Sequence, residues 1–216
     1  LCKLIVMSAT YRQSSDLTPA MIARDANNRL LARGPRFRLS AEAVRDSALA
    51  AGGLLSDQMY GPSVFPPPPD GVWNVVYNGD RDWETSKGED DRRRGLYTFV
   101  RRTTPYPSMV AFDGTSREIC TIRRVPTNTP LQALVTLNDP VYVEAAQAFA
   151  REVVDEGGRK LKKKVEYAFE LALARPPTRD ELERVMDLYE QESVDFAEDP
   201  EAAEKMATDP IGPAPD

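Results

Sequence analysis

Residues 116–140, SREICTIRRVPTNTPLQALVTLNDP, constrain the fold of this chain more than any other stretch. Two pairs in it, Thr129-Pro130 and Asp139-Pro140, each place an N-cap residue directly before a proline at the first helical position. Gln132 adds the reciprocal partner of a capping box at the first of these starts. The stretch therefore predicts two successive helices whose first residues are ten positions apart, 130–137 and 140–155.

Apolar residues recur with the 3.6-residue period of a helix in several other stretches. These patterns predict further helices over 1–11, 20–24, 41–55, 159–174 and from 179 onwards. A second capping box, formed by Thr178 and Glu181, starts the last of these helices, and Pro176-Pro177 separates it from the helix before. We expect these last two helices to form an antiparallel hairpin.

The middle of the chain is rich in proline. The run of four prolines at 66–69 favours polyproline and turn geometry, and apolar residues within 72–77 are expected to anchor it. Residues 96–100, LYTFV, favour one strand or extended segment, and 105–107, PYP, favour a rigid extended turn. Such a segment serves either as a ligand for a partner or as a stiff strap across the surface of its own domain, and we favour the strap.

The predicted fold class is mainly α: an irregular helical domain with a proline-rich, partly extended middle segment and a C-terminal helical hairpin. The chain of 216 residues is 41% apolar and 29% charged, which is ordinary for a globular protein. We expect a single mainly helical domain over 1–196, as a fragment of a larger protein. Residues 197–216 are acidic and contain several prolines, so we expect a disordered tail. No apolar run is long enough to predict a membrane span.

Charge is distributed unevenly along the chain. The net charge is −6, yet residues 92–124 contain eight arginines and two acidic residues, whereas residues 176–216 contain thirteen acidic and three basic residues. Arginine suits bidentate contacts with carboxylate, phosphate or sulfate. The alternative is that these arginines pair with acidic residues of the same chain. Nucleic acid is not an expected partner, because the acidic chain would be repelled and few aromatic residues interleave with the arginines.

The two central helix starts and the arginines beside them form the candidate anion site. Free backbone N–H groups and the dipole at a helix N-terminus attract anions. The predicted anion-binding residues are Arg117, Arg123, Arg124, Thr127, Asn128 and Thr129. The competing interpretation is that the caps satisfy only their own helices and that the arginines fix the connecting loop.

A catalytic site is only weakly indicated. Asp113, Glu118 and Asp139 are the candidate general acid and base, and Ser116 or Cys120 is a candidate nucleophile. The chain contains no histidine and no haem-attachment motif, so we expect neither a metal site nor a cofactor within it. Its two cysteines could form a disulfide in an exported protein, or could be unrelated small side chains.

Three strings carry a resemblance to a known family together with the central stretch: ATYRQSS at 9–15, NRLLARGPRFRL at 28–39 and NTPLQAL at 128–134. Over residues 1–189 the chain resembles the planctomycete-type surface domain of unknown function. The resemblance implies the C-terminal part of a large exported protein, located in the periplasm or at the cell surface. It also implies a linked cytochrome c-like domain that carries haem c. The family usually has a histidine where Cys2 stands.

These observations predict a non-catalytic binding or structural module of an exported cell-envelope multidomain protein. The module would support electron transfer or polysaccharide handling by the linked cytochrome c-like domain, with that domain and an anionic polysaccharide as partners. The alternative is a hydrolase or lyase that acts on anionic sugars with carboxylates of the central segment. Convergence of Asp113, Glu118 and Asp139 in an open cleft would favour the enzyme, whereas their pairing with arginine would favour the module.

Overall fold

A computed structural model describes residues 1–69, 71 and 83–214 of the chain. Where we expected one domain over 1–196, the contacts divide the chain into two compact units, Leu1–Arg38 and Leu39–Asp216. The first unit contains α1 (Cys2–Val6) and α2 (Pro19–Asp25). Thr18 caps α2, because its Oγ1 accepts a hydrogen bond from the backbone N–H of Met21 at 3.2 Å.

The first helix ends at Val6, whereas periodicity predicted that it would reach residue 11. Ser8 explains the early end, because its Oγ donates to the carbonyl of Ile5 at 2.7 Å and accepts from the backbone N–H of Tyr11 at 3.2 Å. Such local side-chain bonds compete with the helical backbone bonds. Residues 30–39 form no helix or strand.

The second unit is built on two helices that pack on each other, α3 (Ala41–Ala51) and α6 (Pro140–Glu156). Around them the short helices α4 (Pro107–Ala111) and α5 (Pro130–Asn138) pack against α3 and α6 respectively, and against each other. The C-terminal helices follow in series, each packed on the one before: α7 (Leu161–Leu173), α8 (Arg179–Glu198) and α9 (Pro200–Thr208).

The mainly α fold class is confirmed. Within the described residues there is no strand, and a single parallel bridge joins Val64 to Thr98. Likewise, none of the helices formed by these residues combines the length and the apolar character needed to cross a membrane.

Two small apolar clusters form the core between α3 and α6. Both draw on these two helices, and their buried members are Ala41, Phe112 and Tyr142 in one and Leu49, Val141 and Ala145 in the other. Gly52 allows the close approach, since a Cβ there would lie 2.6 Å from the carbonyl oxygen of Ala145. The helix ends at Ala51, before the predicted residue 55, because Gly53 has a left-handed φ of 66°.

The proline-rich segment supplies backbone carbonyls to buried aromatic side chains. Trp83 donates from Nε1 to the carbonyl of Pro66 at 2.7 Å, and Tyr106 donates from its hydroxyl to the carbonyl of Pro67 at 2.8 Å. The rings of Trp83 and Tyr106 stack with their centroids 5.9 Å apart. These contacts agree with the predicted strap, while the predicted anchors within 72–77 lie outside the described residues.

Two local predictions in the middle of the chain were wrong. Gly95–Tyr97 form a 3-10 turn, whereas one strand or extended segment was predicted over 96–100, and extended backbone begins only at Thr98. The cause lies elsewhere in the chain, because Asp46 Oδ1 accepts from the Gly95 backbone N–H at 2.6 Å. The extended turn predicted over 105–107 ends at Tyr106, because Pro107 is the first residue of α4.

The predicted C-terminal hairpin is present as α7 and α8. Thr178 and Glu181 form the capping box, and Arg175 donates to both carboxylate oxygens of Glu181 at 2.7 and 2.8 Å. The segment expected to be a disordered tail contains α9. Two side chains of α6 bind its end: Gln147 donates to the carbonyls of Met206 and Asp209, and Arg151 donates to that of Ala207.

Replacing Leu49 by alanine should lower the free energy of unfolding by about 2–5 kcal/mol, because Leu49 is fully buried and its truncation leaves a cavity. The matched control is Leu188→Ala on α8, where more than half of the side chain is exposed and a change within about 0.5 kcal/mol is expected. Urea denaturation followed by circular dichroism measures both. Equal losses in the two variants would show that the contact between α3 and α6 is not the core.

Candidate functional site

All the predicted site residues except Asp139 lie on a mostly exposed loop, 113–129, and an ion pair at Arg124 fixes this loop. Arg124 donates from Nη1 to Glu42 Oε2 at 2.6 Å and from Nη2 to Glu42 Oε1 at 2.8 Å. These hydrogen bonds from the guanidinium lower the pKa of the Glu42 carboxyl to about 2. Arg124 therefore behaves as the alternative interpretation expected, pairing with an acidic residue of its own chain.

A second set of bonds joins the ends of the loop. The backbone N–H and the hydroxyl of Thr127 both donate to the carboxylate of Asp113, at 2.7 and 2.9 Å. Gln132 donates from Nε2 to Thr127 Oγ1 at 3.1 Å, while its Oε1 accepts from the backbone N–H of Thr129 at 3.2 Å. Thr127 and Thr129 are thus engaged by their own loop and helix, and Asn128 between them is exposed.

Arg117 and Arg123 differ from Arg124. Both are exposed, and no hydrogen bond or ion pair joins either side chain to another of the described residues. Arg117 has a left-handed φ of 59°, which is uncommon for a residue with a side chain. Of the six predicted anion-binding residues, Arg117 and Arg124 line one cavity together, and Arg123 does not belong to its lining.

The three candidate catalytic carboxylates have three different surroundings. Asp139 is 2% exposed and caps α6, where its Oδ1 accepts from the backbone N–H of Val141 at 3.0 Å. Burial raises the pKa of Asp139 to about 6, and the positive charge of Arg45 opposes this shift only in part. Glu118 is exposed, and Asp113 is engaged by Thr127. A buried carboxylate and an exposed one do not face the same open cleft.

The candidate nucleophiles are not activated by these carboxylates. Ser116 Oγ accepts from the backbone N–H of Glu118 at 3.3 Å, which is a local turn contact. Cys120 is exposed and free, and so is Cys2, so the structure contains no disulfide between them.

Sequence reasoning missed the polar face of α3. Glu42 binds Arg124, Asp46 binds the Gly95 amide and, at 3.4 Å, Arg94 Nε, and Arg45 donates from Nη2 to the carbonyl of Asp91. Residues at i, i+3 and i+4 share one helical face. That spacing was visible in the sequence, but the partners lie 46 to 82 positions away and carry no local signal.

A narrow cavity lies where this polar face meets the loop. Its volume is about 50 Å³. Besides two glycines, the residues that line it are the polar Glu42, Thr98, Tyr106, Thr115, Arg117 and Arg124 and the apolar Leu96, Phe99, Val100, Pro105, Met109 and Val110. Glu42 and Arg124 already neutralise each other, so the charge left over at this cavity is that of Arg117.

Comparison with known proteins identifies a family, but the function of that family is unknown. The model of the PSD1 family, described as a protein of unknown function (DUF1553), matches residues 1–189. No curated protein and no solved structure matches the chain. Within the described residues, no group of three or more Cys, Asp or Glu side chains is placed to hold a metal ion.

Glu42→Gln should reduce stability most at neutral pH. The folded-state pKa of Glu42 lies below its usual value, so the ion pair stabilises fully above pH 5 and its contribution is lost as pH falls to about 2. After allowing for solvent screening at this half-exposed pair, we expect a loss of about 1 kcal/mol at pH 7 that vanishes near pH 2. Urea denaturation at several pH values measures it. A loss of the same size from Glu118→Gln, whose carboxylate is exposed, would contradict this assignment.

The effect of Asp139→Asn on stability should have the opposite pH dependence to that of Glu42→Gln. Asparagine caps a helix as well as aspartate does, and burial raises the folded-state pKa of Asp139, so ionisation costs stability as pH rises from about 4 to 6. Relative to that of the unmodified chain, the free energy of unfolding of the variant should therefore rise by on the order of 2 kcal/mol between pH 4 and pH 7. Thermal melts at the two pH values test this, and a pH-independent difference would show that burial does not raise the pKa of Asp139.

Proposed function

This chain belongs to the PSD1 family of proteins of unknown function (DUF1553), and we propose that it is a non-catalytic binding or structural module of an exported cell-envelope multidomain protein. In this proposal it supports electron transfer or polysaccharide handling by a linked cytochrome c-like domain. The single observation that carries the binding role is a series of exposed apolar side chains in the 119–137 segment, which we take as one surface.

The 119–137 surface consists of side chains that are each more than half exposed. They are Ile119, Ile122, Val125, Leu131, Leu134 and Leu137. Val135 in the same segment packs into the core between α3 and α6, so α5 is held in place while its leucines face outward. When exposed apolar side chains form one contiguous patch, that patch typically marks a site of contact with another protein.

Arginine at the edge of this surface favours an acidic partner. Arg117 and Arg123 are exposed beside Ile119 and Ile122, and neither is neutralised by another described residue. An apolar centre with arginine at its rim is the usual composition of a protein interface. Carboxylates of an acidic domain, or of an anionic polysaccharide bound beside it, would supply the complementary charge.

The hydrolase or lyase alternative needs two carboxylates that face one substrate. Asp139 is buried as the cap of α6, and Asp113 accepts two hydrogen bonds from Thr127. Each of these two carboxylates has a structural role in its own element. We therefore propose the binding module rather than the enzyme.

Site-specific photo-crosslinking in the full-length protein, expressed in its own cells, tests this function. A photoreactive residue at Ile122 should give crosslinks to a haem-bearing part of the same polypeptide, recovered from the envelope or extracellular fraction. The matched control is the same residue at Leu173, which is exposed at the end of α7. Equal crosslinking from both positions, or recovery of the protein only from the cytoplasm, would contradict the proposal.

A further inference from the structure

The first unit, Leu1–Arg38, carries an inference that is independent of the 119–137 surface. We propose that this unit attaches the protein to a lipid surface with anionic headgroups, through exposed arginine and aromatic side chains on its 11–15 and 34–38 segments. The attachment is peripheral, at the level of the headgroups.

Charge is the first observation. The unit contains seven basic and two acidic residues, a net charge of +5, so the rest of the chain carries −11. Both carboxylates are bound to neutral groups of the unit itself. Asp25 accepts from the backbone N–H groups of Arg29 and Leu30 at 2.8 and 2.7 Å, and Asp16 accepts from Ser14 Oγ at 2.7 Å.

Five of the seven basic side chains of the unit are exposed and form no hydrogen bond or ion pair with another described residue. They are Lys3, Arg12, Arg24, Arg29 and Arg36. Basic residues close to an anionic membrane each add to its attraction for the protein, and the attraction falls off within a Debye length. The unit therefore presents a positive potential to any anionic surface that it meets.

Exposure of apolar side chains is the second observation. No residue of the unit is buried. Six of its apolar side chains are each more than 60% exposed: Leu1, Leu4, Tyr11, Leu30, Leu31 and Phe37. Transfer of such side chains from water into an apolar environment is favourable, so the unit gains free energy from any partner that covers them.

The third observation is that the 11–15 and 34–38 segments lie against each other. The backbone N–H of Gly34 donates to the carbonyl of Ser14 at 2.9 Å, and a Cβ on Gly34 would lie 2.9 Å from the carbonyl oxygen of Gln13. Each segment contains an exposed arginine next in sequence to an exposed aromatic ring, Tyr11-Arg12 in one and Arg36-Phe37 in the other. Arginine binds phosphate through its fork of donors, and aromatic rings with a polar end favour the headgroup level of a bilayer.

These features favour a lipid surface over a protein partner. A protein interface has a close-packed centre from which charged residues are depleted, and its shape matches that of the partner. In the first unit basic and apolar residues are interspersed along the chain, and no side chain is buried to fix a shape. A fluid lipid surface requires no fixed shape, and basic residues combined with exposed apolar ones are the composition that binds it.

Co-sedimentation of the full chain of 216 residues with lipid vesicles tests the proposal. Vesicles of phosphatidylglycerol and phosphatidylcholine in equal parts should bind the protein, whereas vesicles of phosphatidylcholine alone should not. Raising the salt concentration from about 0.1 M to about 0.5 M should weaken the binding, because salt screens the charges.

Two double variants and one control locate the attachment. Arg12→Gln with Arg36→Gln should weaken vesicle binding by about 20- to 30-fold, since each charge contributes about fivefold. The matched control is Arg159→Gln with Lys160→Gln, which removes two exposed and unpaired basic side chains of the second unit and should leave binding unchanged. Tyr11→Ser with Phe37→Ser preserves the charge and should weaken binding by about tenfold.

Three outcomes would overturn the proposal. The first is no binding to the phosphatidylglycerol vesicles, or equal losses in the two charge-removing double variants. The second is unchanged binding after Tyr11→Ser with Phe37→Ser, which would show attraction to any polyanion and no contact with lipid. The third is a dimer in analytical ultracentrifugation without vesicles that is lost after Arg12→Gln with Arg36→Gln, which would assign these side chains to a second copy of the chain.

Discussion

One short helix, α3, holds the irregular part of the second unit in place through charged side chains. Glu42, Arg45 and Asp46 lie on one face and bind Arg124, the Asp91 carbonyl and the Gly95 amide. Ala41 and Leu49 of the same helix belong to the two apolar clusters shared with α6. The helix thus joins a small core to segments that have little regular structure of their own. Hydrogen bonds that involve a charged group are stronger than neutral ones, so a few of them suffice for this role.

The arginine-rich segment is also held in place by hydrogen bonds from charged side chains. Arg93 is 1% exposed, donates to the carbonyls of Tyr60 and Pro62, and lies over the ring of Tyr97 at 4.0 Å. Arg92 donates to Glu144 of α6. These arginines are structural, as the pairing interpretation expected. Arg102, Arg117 and Arg123 are exposed and leave charge available at the surface, and the last two are next in sequence to exposed apolar side chains of the 119–137 segment.

Local signals in the sequence explain which predictions succeeded. The caps at Thr18, Thr129, Asp139 and Thr178 act within three residues, so the helices that follow them could be located from the sequence. The 3-10 turn at Gly95 depends on Asp46, and the state of Arg124 depends on Glu42, 82 positions away. Long-range pairing of this kind has no local signature. It also determines which arginine of the candidate site is paired with a carboxylate. The finding that Arg124 is paired and Arg117 is not therefore required the structure.

The central claim is that the polar face of α3 holds the middle segment, and amide hydrogen exchange tests it most directly. In the unmodified chain the Gly95 amide should exchange slowly, because it donates to Asp46 at 2.6 Å. In Asp46→Ala, exchange of that amide and of its neighbours over 92–97 should approach the rate of the unfolded chain. Amides of α7 and α8 should keep their protection. Unchanged protection of Gly95 in Asp46→Ala would show that the segment is held by other contacts and would contradict this account.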